Sequence, residues 1–110
     1  MTRPFLNVDV DGILLCPLCG ESRYTHIDDV FVAGRPREDG EVVPVHIDSH
    51  GRTTSDNSVA LPIPDVGRRH AISLGGWCES CGGRFAIEFL QHKGQTAVAV
   101  RKPTWVPVDI

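Results

Sequence analysis

Two cysteine pairs constrain this chain more than any other feature: Cys16-Pro17-Leu18-Cys19-Gly20 and Cys78-Glu79-Ser80-Cys81-Gly82. Two residues between cysteines let the backbone fold back so that both sulfurs reach one ion. A glycine follows each pair, at Gly20 and at Gly82-Gly83, where the returning backbone calls for a positive φ. Two such knuckles supply four thiolates to a tetrahedral site with no position left for water, which is the structural and not the catalytic kind. The assignment is one structural zinc held by Cys16, Cys19, Cys78 and Cys81. Iron suits the same sulfur geometry and is the runner-up. A thioredoxin-like redox role would need a helix after a CxxC in a βαβ setting, and neither pair has a helical pattern behind it.

The distance between the pairs is unusual. Cys19 and Cys78 bracket residues 20 to 77, which is 58 residues, where short zinc ribbons use about 15–20. An insert, residues 21–76, is therefore expected between the knuckles. Loop entropy grows slowly with length, so metal binding can offset its closure.

At 110 residues the chain has room for one domain, with only 6% aromatic residues to fill its core. Its apolar runs are four or five residues long, far short of the ~20 that span a bilayer. No export signal is visible at the start, so a reducing cytosol is the expected compartment and disulfides are not expected. The formal net charge is −3. Residues 1–55 carry 5 basic and 9 acidic groups, giving −4, and residues 56–110 carry 6 and 5, giving +1. The chain as a whole lacks the positive surface that non-specific nucleic-acid binding requires.

Along the chain, residues 1–12 read as a flexible acidic tail and residues 13–102 as a single β domain. Residues 103–110 read as an extended, proline-bearing tail. Strands are expected at Ile13–Leu15, Tyr24–Val32, Glu41–Ile47 and Ala71–Leu74. Pro44 argues for an edge position or a bulge in its strand. Residues 48–58 are the most polar stretch and read as a mobile loop. Arg84–Gln91 alternates Phe85, Ile87 and Phe89 against Ala86, Glu88 and Leu90, then turns through His92-Lys93-Gly94-Gln95 into Thr96–Val100. No helical period occurs, so the fold class is mainly β: a small zinc ribbon with a long β-containing insert.

Trp77-Cys78-Glu79-Ser80-Cys81-Gly82-Gly83, followed by Gln91-His92-Lys93-Gly94-Gln95-Thr96, carries a resemblance. Together with the knuckle pair and long insert, it resembles small zinc-ribbon proteins of unknown function from actinobacteria and their phages. The resemblance covers most of residues 13–100. It implies an intracellular protein, in the host cytoplasm if phage-encoded, and binding rather than catalysis.

Other residues offer weaker candidates. His46, Asp48 and His50 would share one face if their strand continued, yet a solvated strand end is the favoured reading. His26 reads as a surface histidine, and Trp77 as a shield over the sulfurs. Arg68, Arg69, Arg84, His92, Lys93 and Trp105 are the candidate partner contacts. No nucleophile–base signature, phosphate loop or HExxH motif is present, so no enzymatic activity is expected. The expected role is a protein-interaction adaptor or modulator of a host or cellular protein. The alternative is a nucleic-acid-binding ribbon linked to transcription, using Arg68, Arg69, Arg84, Lys93 and Lys102. Open sheet edges would also permit pairing with a second copy, as a homodimer.

Overall fold

The computed structural model describes residues 6–21, 23–37, 40–63, 66–67 and 69–101. Six strands form one antiparallel sheet: β1 (Thr25–Gly34), β2 (Val43–Ile47), β3 (Thr53–Thr54), β4 (Ala71–Cys78), β5 (Arg84–His92) and β6 (Gln95–Arg101). Their order across the sheet is β3-β2-β1-β4-β5-β6. The described residues contain no helix, so none is long and apolar enough to cross a membrane.

The insert turns out to be half of the sheet. Residues 21–76 supply β1, β2, β3 and most of β4, and β1 runs antiparallel beside β4. The long separation between the cysteine pairs is the length needed to leave the first knuckle, build three strands and return. Local alternation drives β1: Asp29, Phe31 and Ala33 turn inward in sequence. Its register with β4 shifts once, between Ile27 and Asp29, leaving Asp28 as a bulge. Pro44 lies beyond the reach of β3, which pairs only with His46 and Ile47, so its missing N–H meets no third strand.

The β5–β6 hairpin matches its sequence pattern. His92 pairs with Gln95 across a two-residue turn in which Lys93 has φ 50° and Gly94 φ 78°. Two successive positive φ values give the turn whose twist suits a hairpin.

Two expectations are corrected. The acidic stretch before Ile13 is not a tail over residues 7–12, since it forms the outer arm of a small hairpin. Val8 bridges Leu14, the Asp9 amide donates to Ile13, and the Leu15 amide donates to Asn7. The Asp9 carboxylate accepts from the amides of Asp11 and Ile13, which is why an acidic turn suits this place. Residues 48–58 likewise hold a tight turn and strand β3. The Asp48 carboxylate accepts from the His50 and Arg52 amides at 2.9 and 3.0 Å, and those bonds hold it below the usual carboxylate range. The tail at 103–110 lies outside the described residues.

The core is thin. Ile63, in the segment before β4, is buried against Ala33 and Ala71, with Val42, Leu61, Val66 and Leu90 around them. Near the cysteine end, Phe85 is fully buried. Its ring lies against Gly76, where an added Cβ would stand 2.7 Å from Phe85 Cζ and closer still to the His26 carbonyl oxygen. Gly76→Ala should therefore force β1 and β5 away from β4, at a cost of about 1–3 kcal/mol. Urea denaturation checks this, and an unchanged midpoint would contradict the close approach.

Candidate metal centre

Both knuckles sit at one end of the sheet. The first leads into β1, and the second is the turn joining β4 to β5. Thr25 pairs with Cys78, and the Glu79 amide donates to the Tyr24 carbonyl at 3.0 Å, which fastens the two approaches together. Tyr24 adopts φ 67°, a rare conformation for a non-glycine residue, at the point where the knuckle becomes a strand.

The two turns are built alike. Gly20 donates to the Cys16 carbonyl at 2.9 Å, and Gly82 donates to the Cys78 carbonyl at 2.8 Å. Cys16 donates to Glu21, and Cys78 donates to Gly83, in the same relation. The expected positive φ values occur at Gly20 (84°) and Gly82 (70°). Amides also point at sulfur, from Leu18 to Cys16 and from Gly83 to Cys81, each at 3.4 Å. Gly83 has a separate reason to be glycine: a Cβ there would meet Leu18 Cδ1 at 2.5 Å.

The four sulfurs lie within 4.8 Å of one another. Cys16 and Cys81 are 3.9 Å apart, and Cys19 and Cys78 are 3.8 Å apart. A metal bound at about 2.3 Å to four sulfurs in a tetrahedron sets their separations at about 3.8 Å. The residues present fit such an ion. Cys16 and Cys78 are buried, while Cys19 and Cys81 face outward, so the group closes the sheet end with one side toward solvent.

Without metal, the thiols of Cys19, Cys78 and Cys81 hold their protons unequally. Desolvation raises the Cys78 thiol, but the amides of Cys81 and Ser80 and the thiols of Cys16 and Cys19 bring it down to about 7. The Glu21 amide lowers Cys19, yet desolvation and the other three thiols push it up to about 12. At Cys81 the Gly83 amide also lowers the thiol, and desolvation with Cys16 and Cys78 outweighs it.

The remaining candidates separate. His92 and Lys93 occupy the β5–β6 turn, and exposed Arg69 precedes β4 at that same end. Arg84 begins β5 at the cysteine end, about 26 Å away for eight residues of strand, with its guanidinium 3.7 Å from Asp28. Arg68, Lys102 and Trp105 fall outside the described residues. Among the described residues, the basic candidates do not converge.

The His46, Asp48 and His50 trio is not assembled as a site. β2 ends at Ile47, the Asp48 carboxylate is engaged by the turn, and His46 Nε2 lies 2.8 Å from Asp29 Oδ1. The His46 ring stacks on Phe31, with centroids 4.1 Å apart. Trp77 and Cys78, adjacent in β4, project to opposite faces. The Trp77 indole stacks on His26 at 4.8 Å, which corrects its expected place over the sulfurs. His26 is half-exposed and lies 3.7 Å from Glu79. Sequence reasoning missed the Asp29–His46 pair, whose partners stand 17 positions apart and meet only through the β1–β2 register.

Compared with known proteins, the chain matches no family model, no curated protein and no solved structure.

Two outcomes check the site. Cys78→Ser should leave the chain largely unfolded, because losing a buried ligand removes metal binding that typically amounts to ~10–16 kcal/mol in zinc-finger peptides. Native-like thermal melting of the zinc-free variant would refute this. Loading four thiolates expels protons, so the metal-free protein binds more protons than the loaded one. Apparent affinity should fall as pH drops from about 8 to about 6. Chelator competition across that range measures it, and a flat profile would count against ligation by four thiolates.

Proposed function

We propose that this chain is a non-catalytic, protein-binding module held together by one structural zinc. The observation that carries the metal half of the reading is the sulfur cluster, whose spacings match a tetrahedral ion with all four positions taken. Zinc is preferred to iron because it stays redox-silent in a closed site and favours no other geometry. No open position remains for water, so a metal-activated nucleophile has no place to form.

The partner half rests on charge and placement. The net charge of −3 becomes about −5 when four thiolates bind a divalent ion (2 − 4 = −2). Arg69, His92 and Lys93 stand at the sheet end opposite Arg84, and Arg84 and Arg101 already face Asp28 and Glu88. A phosphate backbone needs cations along one track. That arrangement favours a protein partner over the nucleic-acid alternative.

The resemblance makes an actinobacterial lysate the sample for capture on the tagged, metal-loaded protein, with and without nuclease. The expected result is one cytoplasmic protein enriched equally in both arms. Recovery that vanishes with nuclease, together with salt-dependent gel shifts, would replace this reading with the nucleic-acid one.

A further inference from the structure

The two faces of the sheet are built in an unusual sense. Five exposed large apolar side chains lie on strands: Ile27 45%, Val43 49%, Ile47 37%, Ile72 38% and Val98 47%. The registers put all five on the same face. One row, Val98–Phe89–Ile72–Val32–Val45, crosses five strands without a polar residue. Among the described residues, no charged side chain in register projects from this face. The opposite face carries Asp29, His46, Glu88 and Arg101, and it is the one that receives Ile63. An antiparallel sheet normally turns its polar face to water and its apolar face to a second layer.

We propose that the apolar face is the interface of a homodimer, in which two copies stack sheet on sheet. A face without charge offers nothing to select a partner of opposite sign, and its complement must be flat, apolar and twisted to the same hand. A second copy related by a two-fold axis meets each of these conditions, because an isologous contact is self-complementary. Two such faces would interdigitate at about 10 Å, as in a β-sandwich. Toward the cysteines this face is already covered, where Phe85 is 0% and Ile87 2% exposed, so the open part is about five residues long across five strands about 4.8 Å apart, about 20 Å by about 16 Å. That is the size of the apolar centre of a standard interface, which removes about 800 Å² of accessible surface from each partner. Exposed Thr53, Gln91 and Thr96 project beside it and supply a polar rim.

Sedimentation equilibrium on the full, metal-loaded chain tests this. The wild type is expected to be a dimer, and Ile72→Asp should weaken association at least tenfold while one metal per chain and a cooperative melt persist. Val98→Lys, on edge strand β6, serves the same purpose if Ile72→Asp does not fold. Lys93→Ala, at the exposed turn, should leave the dimer intact. A wild type that stays monomeric at every concentration would overturn the proposal. So would a folded Ile72→Asp or Val98→Lys variant that still dimerises, which would assign association to another surface. Neither result bears on nuclease-resistant capture, so failure here is distinguishable from failure of the adaptor reading.

Discussion

Pairing of Thr25 with Cys78 brings the end of β4 beside the chain leaving the first knuckle, and the rest of the structure is arranged around that meeting. The ladder runs from this point to Ala33 opposite Ala71, so β1 and β4 form the spine from which β2 and β5 are added. The sulfur cluster closes the same end that the ladder brings together. Each half would assist the other: the ladder reduces the search for four ligands to two preformed turns, and an ion held there would fasten two strands far apart in sequence. Binding to the folded state alone converts metal affinity into stability.

The composition gives such a contribution weight. Ala33, Ala71 and Ala86 line the buried positions where larger sheets carry leucine or phenylalanine, and they release little surface to burial. Buried polar side chains add a further cost. Glu88 is 1% exposed, and its burial pushes the carboxyl up even with the Arg101 Nε 2.8 Å away. Ser73 Oγ and Asp29 Oδ2 are buried without a protein partner. A domain with so few large apolar groups facing inward, and with such polar debts, gains most from a staple that acts only when folded.

Local chemistry was the legible part. The knuckles and their positive-φ glycines each follow from fewer than ten contiguous residues, and the β5–β6 hairpin from the single stretch Arg84–Arg101, because turn geometry is set by its own atoms. What stayed hidden depends on register between distant segments. The stretch 21–76 reads as an insert because nothing within it states that β1 will pair with β4, past β2 and β3. The Asp29–His46 pair and the His26–Trp77 stack are invisible for the same reason. Trp77 illustrates the limit well. Its place next to Cys78 suggests contact with the sulfurs, but pleating sends adjacent side chains to opposite faces. The hairpin over residues 7–15 was obscured by its acidity, which serves the turn at Asp9 and not the solvent alone.

The bulge at Asp28 connects the two faces to the cysteine cluster. Beyond it, Asp29 pairs with Gly75 and points to the polar face; before it, Ile27 pairs with Gly76 and Thr25 with Cys78. Were Asp28 instead paired with Gly76, with no bulge, the register of β1 before it would move by one, so His26 and not Thr25 would stand opposite Cys78. Side chains before that point would exchange faces, because the period of a strand is two. The first knuckle would also move along the ladder by about 3.3 Å. That displacement is nearly the full separation of two sulfurs in the cluster, and a tetrahedral site does not tolerate it. Asp28 therefore sets the phase between the sheet and the cysteines, and its own carboxylate is held beside Arg84 at the start of β5, 3.7 Å away. A bulge next to a site re-aims the strand that serves it. Here it lets one strand present Phe31 and Asp29 to the covered face and still deliver its knuckle, in register, to the sulfurs of the other.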